Sequence, residues 1–180
     1  WGCAWGDLAL YVFFIVVTGV LLLRFNPGLI AERASNRGAK RWDAILGGTW
    51  AMVDMVDLLV VAGLDCRLGW SGRLPLWVHA LGEAVFLAGM ALFVWGMVSN
   101  ARFAQVVRVG QEGEHVICQG GPYAYVRHPG YAGAVLQSLG LPLLLGSWWA
   151  LIPGVIAAGL MVLRTALEDR TLLRELAGYT

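Results

Sequence analysis

Residues 131–163 read YAGAVLQSLGLPLLLGSWWALIPGVIAAGLMVL, two apolar runs, 131–145 and 148–163, separated only by Gly146 and Ser147. With Pro142 and Pro153 nearby, this spacing predicts a tight helical hairpin in a membrane. Working outward, 76–99 and 44–64 are further apolar stretches. Residues 7–23 open on Asp7 and continue LALYVFFIVVTGVLLL, apolar all round and long enough at 1.5 Å per residue to cross a core of about 30 Å. Five spans follow, so the expected fold class is an all-α integral membrane protein. Beyond them, Arg164, Glu168, Thr171 and Glu175 share one face while Leu172, Leu173 and Leu176 turn away, which predicts a C-terminal amphipathic helix over 164–178 leaving the membrane.

Composition agrees. Hydrophobic residues make up 58% of the 180 and charged ones 14%, against roughly 25% charged in a soluble domain. Mean hydropathy is +0.66. Soluble globules, disordered chains and collagen are excluded. Cys3, Cys66 and Cys118 show no CxxC spacing, so neither a disulfide framework nor a metal site is expected. Thirteen basic residues against twelve acidic ones give a net charge of +1, without the clustered basic face a nucleic-acid partner requires. The chain begins at Trp1 and stops at Thr180, which reads as trimming at both ends.

With five spans, one side of the membrane holds the loop after the first span, residues 100–130 and the C-terminal helix. That side carries eleven of the thirteen basic residues, leaving Arg67 and Arg73 opposite, and the positive-inside rule makes it cytoplasmic. Trp5, Trp70, Trp77, Trp148 and Trp149 fall at the outer ends of spans. The expected organisation is one structural domain, with a three-span region at 1–99 and a catalytic region at 100–180.

The densest polar sequence is HVICQGGPYAYVRHPGYAG, residues 115–133. Gly120, Gly121 and Pro122 specify a turn, and Pro129 pushes His128 out of helical geometry. Ordered, non-helical backbone at membrane depth is tolerated when it is buried in protein or lines a polar cavity, so a ligand pocket is one reading and an interfacial loop the other.

GPYAYVRHPGYAG, followed across the hairpin by the R-x-x-x-E-D element at 164–169 and then ELAGY, resembles the isoprenylcysteine carboxyl methyltransferase and phospholipid methyltransferase family. The resemblance covers roughly 95–179. It implies an integral membrane enzyme that transfers a methyl group from S-adenosylmethionine to a lipophilic acceptor arriving from the membrane lipid. It further implies that the cofactor is held by His115, Val116, Ile117, Cys118, Tyr123, His128, Pro129, Gly130, Tyr131 and Glu168, and that Arg164 faces the acceptor. Two positions depart from the pattern: Arg108 stands where relatives commonly carry glutamine, and Asp169 replaces the second glutamate of an acidic pair.

The chemistry suits these residues. Tyrosines can offer ring faces or hydroxyls to a sulfonium, and the Glu168 carboxylate can accept from an ammonium or a ribose. Methyl transfer is an in-line displacement that chiefly needs alignment and exclusion of water. A carboxylate acceptor would use Arg164 bidentately; an amine acceptor would need a base, His128 or Glu168. The acceptor stays open among an isoprenylated cysteine carboxylate, a phospholipid amine and another small lipophile. Inside the spans, Asp54 and Asp57 together with His79 and Glu83 read as a hydrogen-bonded clasp between the second and third spans. In a rival reading they are the core of a non-enzymatic proton-coupled carrier.

Overall fold

The computed structural model describes residues 40–99 and 120–175, together with helical positions between 13 and 24. Helix α1 runs over Arg41–Leu68 and contains a π-helical turn, Val53–Asp57; α2 is Leu76–Ser99. A 3₁₀ turn, Gly121–Ala124, precedes α3, Pro129–Leu144, and α4 is Leu151–Glu175. No strand occurs among the described residues.

Local chemistry sets the boundaries. Helix α1 ends at Gly69, whose φ of 71° suits a left-handed cap and whose N–H donates to Asp65 O at 2.7 Å. Pro129 opens α3 at a position where its missing N–H costs nothing, and His128 before it has φ −124° and ψ 67°, outside the helix. The hairpin expected at Gly146 and Ser147 is present as a turn between α3 and α4, with Gly146 at φ 71° against the His79 ring.

Between helices in lipid, apolar burial gains little, because the surrounding tails are as apolar as leucine; close packing and interhelical hydrogen bonds decide. Helices α2 and α3 use both. Gly82, Gly89 and Gly96 recur every seven residues on α2, hence on one face, and meet Leu144, Gly133 and Pro129 in antiparallel order. A Cβ on Gly133 would lie 2.6 Å from Gly89 O, and one on Gly140 would lie 2.6 Å from Phe86 N. The backbones touch, and side chains there would force them apart. Leu58, Ala62, Phe86, Met90, Leu141, Leu144 and Ala150 fill the core beside this seam.

Three helices, Arg41–Leu68, Leu76–Ser99 and Leu151–Arg174, are long and apolar enough to cross a membrane. The expected fourth span is 16 residues long, roughly 24 Å of helix, and is the most enclosed of the four, packed against α2 along its length. The expected first span lies mostly outside the described residues. No separate C-terminal helix exists through Glu175, because α4 continues without a break from the apolar run into the charged one.

The expected clasp takes a different form. Asp57 and Glu83 are both exposed, and no hydrogen bond or ion pair joins them to each other or to His79 among the described residues. The polar links go to α3 instead: Ser138 Oγ donates to Asp54 Oδ1 at 2.5 Å, and His79 Nδ1 donates to Leu144 O at 2.9 Å. At the end of the bundle carrying the α1–α2 and α3–α4 connections, Asp65, 3% exposed, accepts from the hydroxyls of Ser71 and Ser147 and from Ser71 N–H. Ser71 Oγ in turn accepts from Trp148 N–H at 3.0 Å, tying the two connections together. Trp70 and Trp149 meet edge to face at 5.9 Å beside this knot.

Candidate active site

At the opposite end, the start of α1, the start of α3 and the last turns of α4 converge. Because Pro129 bars His128 from the helix, the imidazole turns toward α4, where its Nε2–H donates to Asp169 Oδ1 at 2.7 Å. The same imidazole stacks on Tyr131, with ring centroids 5.6 Å apart and planes 9° from parallel. The Arg164 guanidinium carbon lies 5.1 Å from the Tyr131 ring centroid, and the tyrosine hydroxyl is hydrogen-bonded to the Glu168 carboxylate. Arg164 and Glu168 are one turn apart on α4, as the sequence predicts.

Four of the expected site residues, His128, Tyr131, Arg164 and Glu168, therefore form one cluster. Pro129 and Gly130 are buried under it, against Gly96 of α2, and support it from behind. Tyr123 donates its hydroxyl to Gly96 O at 3.3 Å, so its polar end is turned to α2. His115, Val116, Ile117, Cys118 and Arg108 lie outside the described residues.

Two contributors escaped the sequence. Asp169 reads there as a substitution in an acidic pair; in the fold it is the partner of His128. Asp43 carries no reading there beyond closing the connection ahead of the second expected span; the fold puts it in the first turn of α1. It is wholly buried, and Arg164, itself 5% exposed, donates Nε to its Oδ1 at 2.7 Å. Gly47 and Trp50 follow Asp43 on the same face of α1. A Cβ on Gly47 would lie 3.5 Å from Arg164 Nη1, so the guanidinium rests on bare backbone.

Buried polar atoms are normally satisfied. Among the described residues, two buried side-chain atoms have no hydrogen-bond partner, Glu168 Oε2 and Trp50 Nε1. One is an acceptor on α4 and the other a donor on α1. No group of three metal-ligating side chains occurs among the described residues.

An all-helical membrane bundle with this cluster at one end fits a membrane transferase. Residues 81–174 match the model of the Isoprenylcysteine carboxyl methyltransferase (ICMT) family, which is more than half of the chain. The chain belongs to that family and is a membrane methyltransferase. No curated protein and no solved structure matches it.

Proposed function

We propose that the protein transfers a methyl group from S-adenosylmethionine to a lipophilic acceptor at the cluster of His128, Tyr131, Arg164 and Glu168. The observation that carries this reading is the orphaned Glu168 Oε2. A buried carboxylate oxygen without a donor is costly, and the cofactor has ammonium and ribose hydroxyl donors that suit it. His128, Tyr131 and Glu168 would hold the cofactor, joined by residues 115–118.

Bound there, S-adenosylmethionine would supply a methyl group already activated by its sulfonium. The chain's own contribution is alignment and exclusion of water. Arg164 is anchored through Nε and stacked on Tyr131, which presets its plane for a carboxylate acceptor such as an isoprenylated cysteine. For an amine acceptor a proton must leave; with Nε2–H given to Asp169, the Nδ1 of His128 is the atom able to take it. Trp50 Nε1 offers a donor on the α1 side. A catalytic region of 100–180 would thus be completed by the first turns of α1, and the excess of basic residues in the connections expected on that side supports a cytoplasmic site. The family match favours this reading over the proton-coupled carrier.

Labelled methyl donor given to membranes containing the protein identifies the acceptor. A base-labile ester on protein would favour the carboxylate, label in extractable lipid the phospholipid amine, and a volatile or small product another lipophile. No transfer of label beyond control membranes would overturn the reading.

A further inference from the structure

On a helix, an arginine and a glutamate four residues apart ordinarily pair with each other. Arg164 and Glu168 have that spacing, and both are largely buried, where leaving a charge uncompensated costs more than on a surface. Even so, Arg164 donates Nε across the helix interface to Asp43 at 2.7 Å, while Glu168 Oε2 is buried with no partner among the described residues. Asp43 makes the difference. It is wholly buried, it stands on α1 outside the residues that match the family, and Gly47 one turn on lets the guanidinium lie flat on the helix.

We propose that Asp43 is a positioning residue that holds Arg164 off Glu168 and so keeps the Glu168 carboxylate open to the polar head of the cofactor. This rests on the cofactor reading above. The charges agree with it: Asp43 neutralises Arg164, and Glu168 is left as the acid whose charge a cationic ligand would balance. Without Asp43, Arg164 would swing to Glu168 and fill the site with an internal ion pair.

Two readouts test it, one of them without ligand. In the first, Glu168→Gln is made with Asp43 intact and again beside Asp43→Asn, and thermal unfolding is followed in detergent. With Asp43 intact the substitution should leave Tm unchanged or raise it. Beside Asp43→Asn it should lower Tm by several degrees, because an Arg164–Glu168 pair has formed. Equal effects in both backgrounds would overturn the proposal.

In the second, calorimetry with S-adenosylhomocysteine should show affinity falling about tenfold or more in Asp43→Asn, the scale of a charge-assisted hydrogen bond, and recovering when Arg164→Gln is added. An unmoved Kd, or no recovery, would overturn it. Should Asp43→Asn not fold, Arg164→Lys tests the same idea, since lysine keeps the charge but lacks the Nε–H that Asp43 holds. It should bind the probe more weakly than Arg164→Gln, and equal or tighter binding would overturn the proposal. If the unaltered protein bound no S-adenosylhomocysteine, the cofactor reading would fall, and the unfolding readout would still decide whether Asp43 keeps the arginine off Glu168.

Discussion

His128 and Asp169 meet at 2.7 Å, joining the residue just before α3 to the distal part of α4. Asp169, the second acid of the R-x-x-x-E-D element, thus orients the imidazole, and the imidazole in turn stacks on Tyr131. Backbone and side chains agree here, because Pro129 forces the histidine out of the helix and Asp169 receives it.

His128→Ala and Tyr131→Ala should each weaken cofactor binding while the detergent-solubilised protein stays folded. Asp169→Asn should have a smaller effect, since an amide oxygen can still accept from Nε2–H. Titration with S-adenosylhomocysteine beside a melting curve checks this, and unchanged affinity in both alanine variants would remove these residues from the binding site.

Arg164 and Glu168 should fail in opposite ways. Glu168→Gln removes a buried, incompletely satisfied carboxylate, so binding weakens while stability holds or rises. Arg164→Ala leaves Asp43 buried without its partner, a loss of about 3 to 5 kcal/mol by precedent for broken buried pairs. Turnover should fall with it, because acceptor alignment is lost. Melting curves and methyl-transfer rates on both variants test the contrast; matching small effects would make the two residues a mere structural pair.

The glycine seam gives a prediction independent of catalysis. Gly133→Leu places atoms where the Gly89 carbonyl already stands and should prevent normal α2–α3 packing. Gly63→Ala, in an α1 position where a Cβ would meet nothing within 4 Å, should be neutral or stabilising by up to about 1 kcal/mol. Expression in membranes and thermal unfolding of the two variants should differ sharply, and similar behaviour would mean that the seam does not hold the helices together.

Hydropathy made three spans and the hairpin at Gly146 and Ser147 legible, because runs of apolar residues and a two-residue polar break are local signals. The cluster of His128, Tyr131, Arg164 and Glu168 was legible through its resemblance, not through periodicity. Asp43 was not, because an acid at the end of a connection, just ahead of an apolar run, looks the same whether it faces water or a buried arginine 121 positions away. The clasp was misassigned for a related reason. Depth along a helix follows from counting residues, but the facing of Asp57 and Glu83 depends on helix rotation, and the glycine seam commits α2 to α3 rather than to α1.

Asp57→Asn and Glu83→Gln should change stability little, each being exposed and without a partner among the described residues. Asp65→Ala should cost several degrees in Tm, because it leaves the buried Ser147 hydroxyl and the Ser71 N–H without their acceptor. Cofactor affinity should be unmoved by Asp65→Ala, since the knot lies at the other end of the bundle. A large loss from Asp57→Asn would restore the interhelical clasp.

The proposed activity requires that the polar end of this bundle bind S-adenosylmethionine through Tyr131, His128 and Glu168. Calorimetric titration of the purified protein with S-adenosylhomocysteine tests it most directly, run beside Glu168→Gln. Saturable binding at one site per chain is expected, weakened about tenfold or more by the loss of the carboxylate charge. Absence of binding in the unaltered protein, or binding that Glu168→Gln leaves untouched, would contradict it.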